Sequence, residues 1–188
     1  MKIYILSVIN LISFSLMAQI EIQNFTVISK IDDIEIREYS PAIYASVTIE
    51  KENKDQNSSF RILAGYIFGG NEENQKISMT GPVHIQENNI NGKKSLTMKF
   101  VMPEKYQMED LAKPNDSRIE ITKSIKKKYA AIKFSGYSND SKIKNFSDKL
   151  KTILKRKSIP FINTPIYLGY DAPYKFWNRK NEVLFEIN

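Results

Sequence analysis

Cysteine is absent from the 188 residues, and histidine occurs once, at His84. Without thiols the chain forms no disulfide, iron–sulfur cluster, thiolate zinc site or cysteine nucleophile. A single imidazole also leaves nothing from which to build a histidine-rich metal centre. Glycine and proline number only seven each, which excludes collagen-like repetition and Pro/Gly-rich low complexity. Acidic residues are the scarcer charge, 21 against 28 Lys and Arg, and the net charge of +7 favours anionic partners without naming them. What remains is ordinary globular composition, 41% hydrophobic and 26% charged, at a length that suits one domain.

Long apolar runs are missing too. Lys2 precedes a stretch from Ile3 to Ala18 that Asn10 interrupts. At about 16 residues it falls short of the roughly 20 that span a bilayer. One positive charge, an apolar run and a small residue match a secretory signal. The expectation is cleavage after Ala18, export to the periplasm or beyond the cell, and one domain over 19–188. The alternative is a membrane anchor formed by the uncleaved segment.

Alternation with period two marks strands. It runs through Ile43, Ala45, Val47 and Ile49, and again through Leu96, Met98, Phe100 and Met102. Ala130, Ile132 and Phe134 repeat it, as do Val183, Phe185 and Ile187. Shorter strands are expected at 25–30, 34–39, 77–86, 118–123 and 165–169, with a bend at Pro82, which has no N–H for a ladder. Phe60, Leu63, Ala64 and Ile67 carry helical spacing, so a helix is expected over 58–68. Asn57, Ser58 and Ser59 are its candidate caps, and Gly69-Gly70 its stop. A second helix is expected over 141–157 from Ile143, Phe146, Leu150, Ile153 and Leu154. The strand 42–50, helix, strand 77–86 and strand 94–102 read β-α-β-β. Strand 129–136, the second helix, strand 165–169 and strand 182–187 read the same. The fold class is α+β, with two helices on one curved, largely antiparallel sheet.

Several strings then align together. Phe60 to Asn71, with its run into Gly69-Gly70, resembles the helix-to-glycine segment of the SOUL heme-binding protein family. Ile77-Ser78-Met79-Thr80-Gly81-Pro82-Val83 resembles that family's Met-Thr-Ala-Pro-Val string. Further matches are Ile34 to Tyr39, Phe100 to Tyr106, Leu111 to Asp116, Gly169 to Tyr174 and Arg179 to Val183. The resemblance implies two βαββ repeats forming a distorted open antiparallel barrel flanked by two helices. It also implies heme or another porphyrin as a bound, non-catalytic ligand.

A porphyrin needs an apolar groove with cations at the rim. The resemblance places that groove beside the first helix, where Phe60, Leu63, Ala64, Tyr66, Ile67 and Phe68 would line it and Arg61 would meet a propionate. The competing reading makes the same stripe the face that packs on the sheet. Iron ligands are few: His84 is one, and Met79, Met98, Met102 and Met108 are the others besides tyrosine. Alternation puts His84 opposite Val83 and Ile85, hence outward if those two point into the core, so porphyrin binding without metal ligation is expected. Glu182 is expected to face the interior, where burial requires a donor; Arg179 and Asn181 are the nearest candidates.

Eleven Lys and Arg stand against two Asp between Lys126 and Lys157. A solvated helix face is the plain reading, weak attraction to an anionic membrane surface the other; no nucleic-acid motif accompanies the charge. Three functions stay open: a tetrapyrrole carrier, buffer or sensor, expected as a monomer; a general hydrophobic-ligand or protein-interaction module; and a tetrapyrrole-modifying enzyme using Glu182 or a tyrosine.

Overall fold

A computed structural model describes residues 20–50, 56–90, 92–172 and 175–188. The expected export segment, 1–18, lies outside them. The first half runs β1 (Glu21–Ile22), β2 (Phe25–Ile31), β3 (Ile34–Tyr39), β4 (Ile43–Glu50), α1 (Gln56–Ile67), β5 (Thr80–Gly81), β6 (Val83–Ile90) and β7 (Lys93–Val101). The second runs β8 (Ile119–Lys123), β9 (Lys127–Ser135), α2 (Asp140–Arg156), β10 (Ile166–Gly169) and β11 (Lys180–Ile187).

Two expected bounds shift. The strand expected over 77–86 is divided at Pro82 into β5 and β6, and the Gly81–Pro82 peptide is cis. Short β5 leaves the main sheet to pair in parallel with β1. Helix α1 begins at Gln56, so Asn57, Ser58 and Ser59 lie inside its first turn rather than ahead of it. At its other end Gly69 takes φ +110, and the Gly70 N–H reaches Gly65 O at 2.8 Å. A Cβ on Gly70 would sit 2.7 Å from that same oxygen, so the close return of the chain requires glycine. In α2, Asn139 is the N-cap, its side chain accepting from Lys142 N.

Nine strands form one antiparallel sheet in the order β2-β3-β9-β11-β10-β6-β7-β4-β8. The sheet does not close into a barrel; β2 and β8 end the order. It is nevertheless strongly curved. Strands β4 and β9 stand five places apart, about 24 Å in a flat sheet, yet Tyr44 and Tyr129 line one cavity.

The register places both helices on the same, outer face. Helix α2 covers β9 and β11 through Leu150, Ile153 and Leu154, which meet Ile34, Ile36, Ile132, Val183 and Phe185. Helix α1 covers β4 and β7 through Leu63, Tyr66 and Ile67, packed on Ala45, Val47, Met98 and Phe100. Leu150 is fully buried. Leu150→Ala should therefore cost about 3 kcal/mol, read as a lower urea midpoint with an unchanged slope.

Candidate functional site

Alternation sends every second residue of each strand to the inner, concave face, and this face is unusually polar. Strand β3 contributes Glu35, Arg37 and Tyr39; β6 contributes His84 and Gln86; β7 contributes Thr97 and Lys99. Strand β11 adds Glu182, Leu184 and Glu186.

Arg37 and Glu182 form its deepest contact, both fully buried. Two guanidinium nitrogens donate to the two carboxylate oxygens at 2.7 and 3.0 Å. The Tyr170 hydroxyl donates to the same carboxylate at 2.6 Å, and Arg37 also donates to Glu35 at 2.9 Å and to the Tyr39 hydroxyl at 3.1 Å. The Phe25 ring lies 4.3 Å from the guanidinium carbon. Burial pushes the Glu182 carboxyl up, but the bonds from Arg37 and Tyr170 more than offset it, leaving the group below the ordinary glutamate value. Arg37, rather than Arg179 or Asn181, is thus the partner of Glu182. Asn181 points to the other face and donates to Gly136 O at 2.8 Å, as alternation along β11 requires. Arg179 donates to the carbonyls of Ala172 and Lys175.

Beside this pair opens a cavity of about 510 Å³. His84 lies at its wall and is buried, not outward as expected. It does oppose Val83 and Ile85; the curvature covers that face as well. His84 Nε2 stands 3.1 Å from Gln23 Oε1, and Gln23 donates to the Tyr44 hydroxyl at 2.6 Å. Burial, aided by the nearby Lys99 charge, pushes the imidazole down to about 3, so it is neutral at pH 7. Burial likewise pulls the Lys99 ammonium below the ordinary lysine value. Lys127 is engaged with Glu186 at 2.7 and 2.9 Å. The Tyr39 phenol, buried here, is pushed up to about 12.

The residues expected to line a groove at α1 divide into two groups. Leu63, Tyr66 and Ile67 are at most 1% exposed and committed to the sheet; the Tyr66 hydroxyl donates to Ala112 O at 3.0 Å. Phe60, Arg61, Ala64 and Phe68 fall on the adjoining flank, since positions i, i+1, i+4 and i+8 span about 100° of a helix and Phe60 lies next to Ile67. Phe60 is 39% exposed, its other edge packed against the buried Phe100 ring at 5.3 Å between centroids, and Phe68 is 70% exposed, while Ala64 between them is small and half-buried. Gly65 beside it has open space where a Cβ would stand. The result is an apolar saddle-shaped strip, with a ring at either end and Arg61 exposed on the same flank.

His84 is across the sheet from this saddle. Met98 and Met102 are buried, and Met79 and Met108 are packed against the same core.

On α2 the basic side chains are largely engaged. Lys149 and Arg156 reach Asp33 and Asp32 in the β2–β3 turn at 2.6 and 2.5 Å, and Lys144 reaches Asp148 at 2.5 Å. Such exposed pairs contribute little stability, but they tie up the charge that composition leaves looking free.

Arg37 and Lys99 carry no expected role in the sequence. Both occupy polar positions of alternating strands, which period-two reading assigns to solvent. The only hint was a charge or amide at such positions on strands β3, β6, β7 and β11 alike.

The comparisons agree with this architecture. The family model described as SOUL heme-binding protein matches residues 20–186. Heme-binding protein 2 of Homo sapiens is 31% identical over 155 residues, covering 79% of this chain and 75% of that protein. Heme-binding protein 1 of Xenopus tropicalis is 26% identical over 159 residues, covering 82% and 83%. Among solved structures, the EcmrR C-terminal domain superposes with a TM-score of 0.59 at 11% identity, covering 82% of this chain and 96% of that one. That last likeness concerns the fold alone. Matched over residues 20–186, the chain belongs to the SOUL heme-binding protein family.

Proposed function

We propose that the protein binds heme or a related tetrapyrrole without covalent attachment or catalysis, on the outer face of α1, and serves as an exported carrier, buffer or sensor. The observation that carries this reading is the strip of Phe60, Ala64, Gly65 and Phe68 on one flank of the helix, with Arg61 exposed on the same flank. The exposed Phe68 ring and the open edge of Phe60 offer apolar surface, and the guanidinium supplies charge for a propionate. The group fits these residues as a bound ligand. His84 stands on the opposite face of the sheet and Met98 and Met102 are buried, which favours binding without metal ligation. The β-α-β-β order in each half, with the sheet order β9-β11-β10 beside β6-β7-β4, supports a duplicated unit behind this arrangement. Full engagement of the Glu182 carboxylate by Arg37 and Tyr170 favours a structural ion pair over an acid–base role.

Titration of the protein with hemin, followed in the Soret region, tests the proposal. Binding should saturate at one equivalent, with iron-free protoporphyrin bound about as well. Arg61→Glu should weaken both by roughly tenfold, the effect of turning one attractive charge into a repulsive one. Binding that never saturates and ignores the substitution would remove the proposal.

A further inference from the structure

Lys99 is half-buried on the concave face and makes no hydrogen bond or salt bridge through its side chain among the described residues; its ammonium stands 5.7 Å from the centre of the Tyr44 ring. The cavity it lines carries three ammonium groups, Lys99, Lys123 and Lys127, against one carboxylate, Glu186, which Lys127 already occupies. Next to it His84 is neutral and adds no charge. Glu120 and Glu186 attract Lys99 from a distance, but neither bonds to it, and a partly desolvated ammonium without a directly bound anion favours one brought by a ligand.

The rest of the wall is amphipathic. Tyr44, Tyr129, Ile166 and Leu184 provide apolar surface, and Gln86 and Thr97 provide neutral hydrogen-bonding groups. At about 510 Å³ the space is far larger than an inorganic ion and falls in the range of organic-ligand sites. We infer that this cavity is a second binding site, separate from the α1 face, for an amphipathic organic acid whose anionic group pairs with Lys99 and whose body lies against Tyr44, Tyr129, Ile166 and Leu184.

Sign of charge and position are both testable with two dyes that share one ring system. 8-Anilinonaphthalene-1-sulfonate is the anion, and N-phenyl-1-naphthylamine lacks the sulfonate. Fluorescence titration of the protein should show the anion saturating at one equivalent. Lys99→Met keeps the aliphatic stem and should weaken the anion by about tenfold or more while changing the neutral dye less than about twofold. Lys99→Arg, which keeps the charge, should stay within about threefold of the parent and shows that the site still folds. Hemin at one equivalent should leave the anion bound. Three results would overturn the inference: anion affinity unchanged in Lys99→Met, equal losses for both dyes, or displacement of the anion by hemin at one equivalent. The last would make the cavity the tetrapyrrole site, not a second one. Because the hemin reading is tested at Arg61 across the sheet, its failure leaves this result interpretable.

Discussion

Arg37→Met should lower the unfolding free energy at pH 7 by about 3–5 kcal/mol, the cost of leaving a buried carboxylate without its counter-ion. Glu182 has no solvent to turn to, since it is fully buried, and Tyr170 supplies one neutral donor. Lys180 stands 3.7 Å away and is too exposed to replace a bidentate guanidinium. Urea denaturation of the parent, Arg37→Met, Glu182→Gln and the Arg37→Met/Glu182→Gln pair measures this directly. The double variant, with no buried charge left, should be more stable than Arg37→Met alone. Equal losses in all three would mean that packing around Phe25 and Tyr39, not charge, is what Arg37 provides.

Acidification should unfold the protein more steeply than the carboxylates alone require, and His84 is the reason. Burial holds its native imidazole at about 3, whereas an unfolded histidine titrates near 6.5. Between those values the unfolded chain binds a proton that the native one refuses, so stability falls as pH falls. The slope from this one group is about 1.4 kcal/mol per pH unit. Glu182, Glu35 and Asp171 act in the same direction lower down. Their native values are depressed, so their contribution is present above the ordinary carboxylate range and is lost as pH drops through it. Comparing the parent with His84→Gln from pH 6.5 to 4.5 isolates the histidine. Glutamine preserves a polar contact to Gln23 without titrating, so the parent should lose about 2 kcal/mol more over that interval. Parallel curves would show that His84 accepts its proton in the folded state.

Much of the outer face was legible because it obeys simple periodicity. Ile43, Ala45 and Val47 do point to α1, and Leu150, Ile153 and Leu154 do form the buried stripe of α2. The Gly69-Gly70 stop and the Asn139 cap also follow from local chemistry alone. At α1 the same logic reaches its limit. Phe60, Leu63, Ala64, Tyr66, Ile67 and Phe68 are all apolar or aromatic, so spacing by itself leaves unresolved which of them meet the sheet and which meet solvent.

The inner face shows why the remainder had to await three-dimensional coordinates. Period two says that Arg37, His84, Lys99 and Glu182 oppose the hydrophobic side of their strands, and they do. Whether that opposite side faces water depends on how far the sheet curls, a property shared by nine strands and encoded in no single one. Local order along the chain was enough for the strands, the helices and the apolar faces they bury. The pairing of Arg37 with Glu182 across 145 positions, the burial of His84 and the partial burial of the Lys99 charge arise only when distant strands are brought around one space. Hydrophobic patterning is a property of neighbours in sequence; the electrostatics of an enclosed cavity belong to neighbours in space.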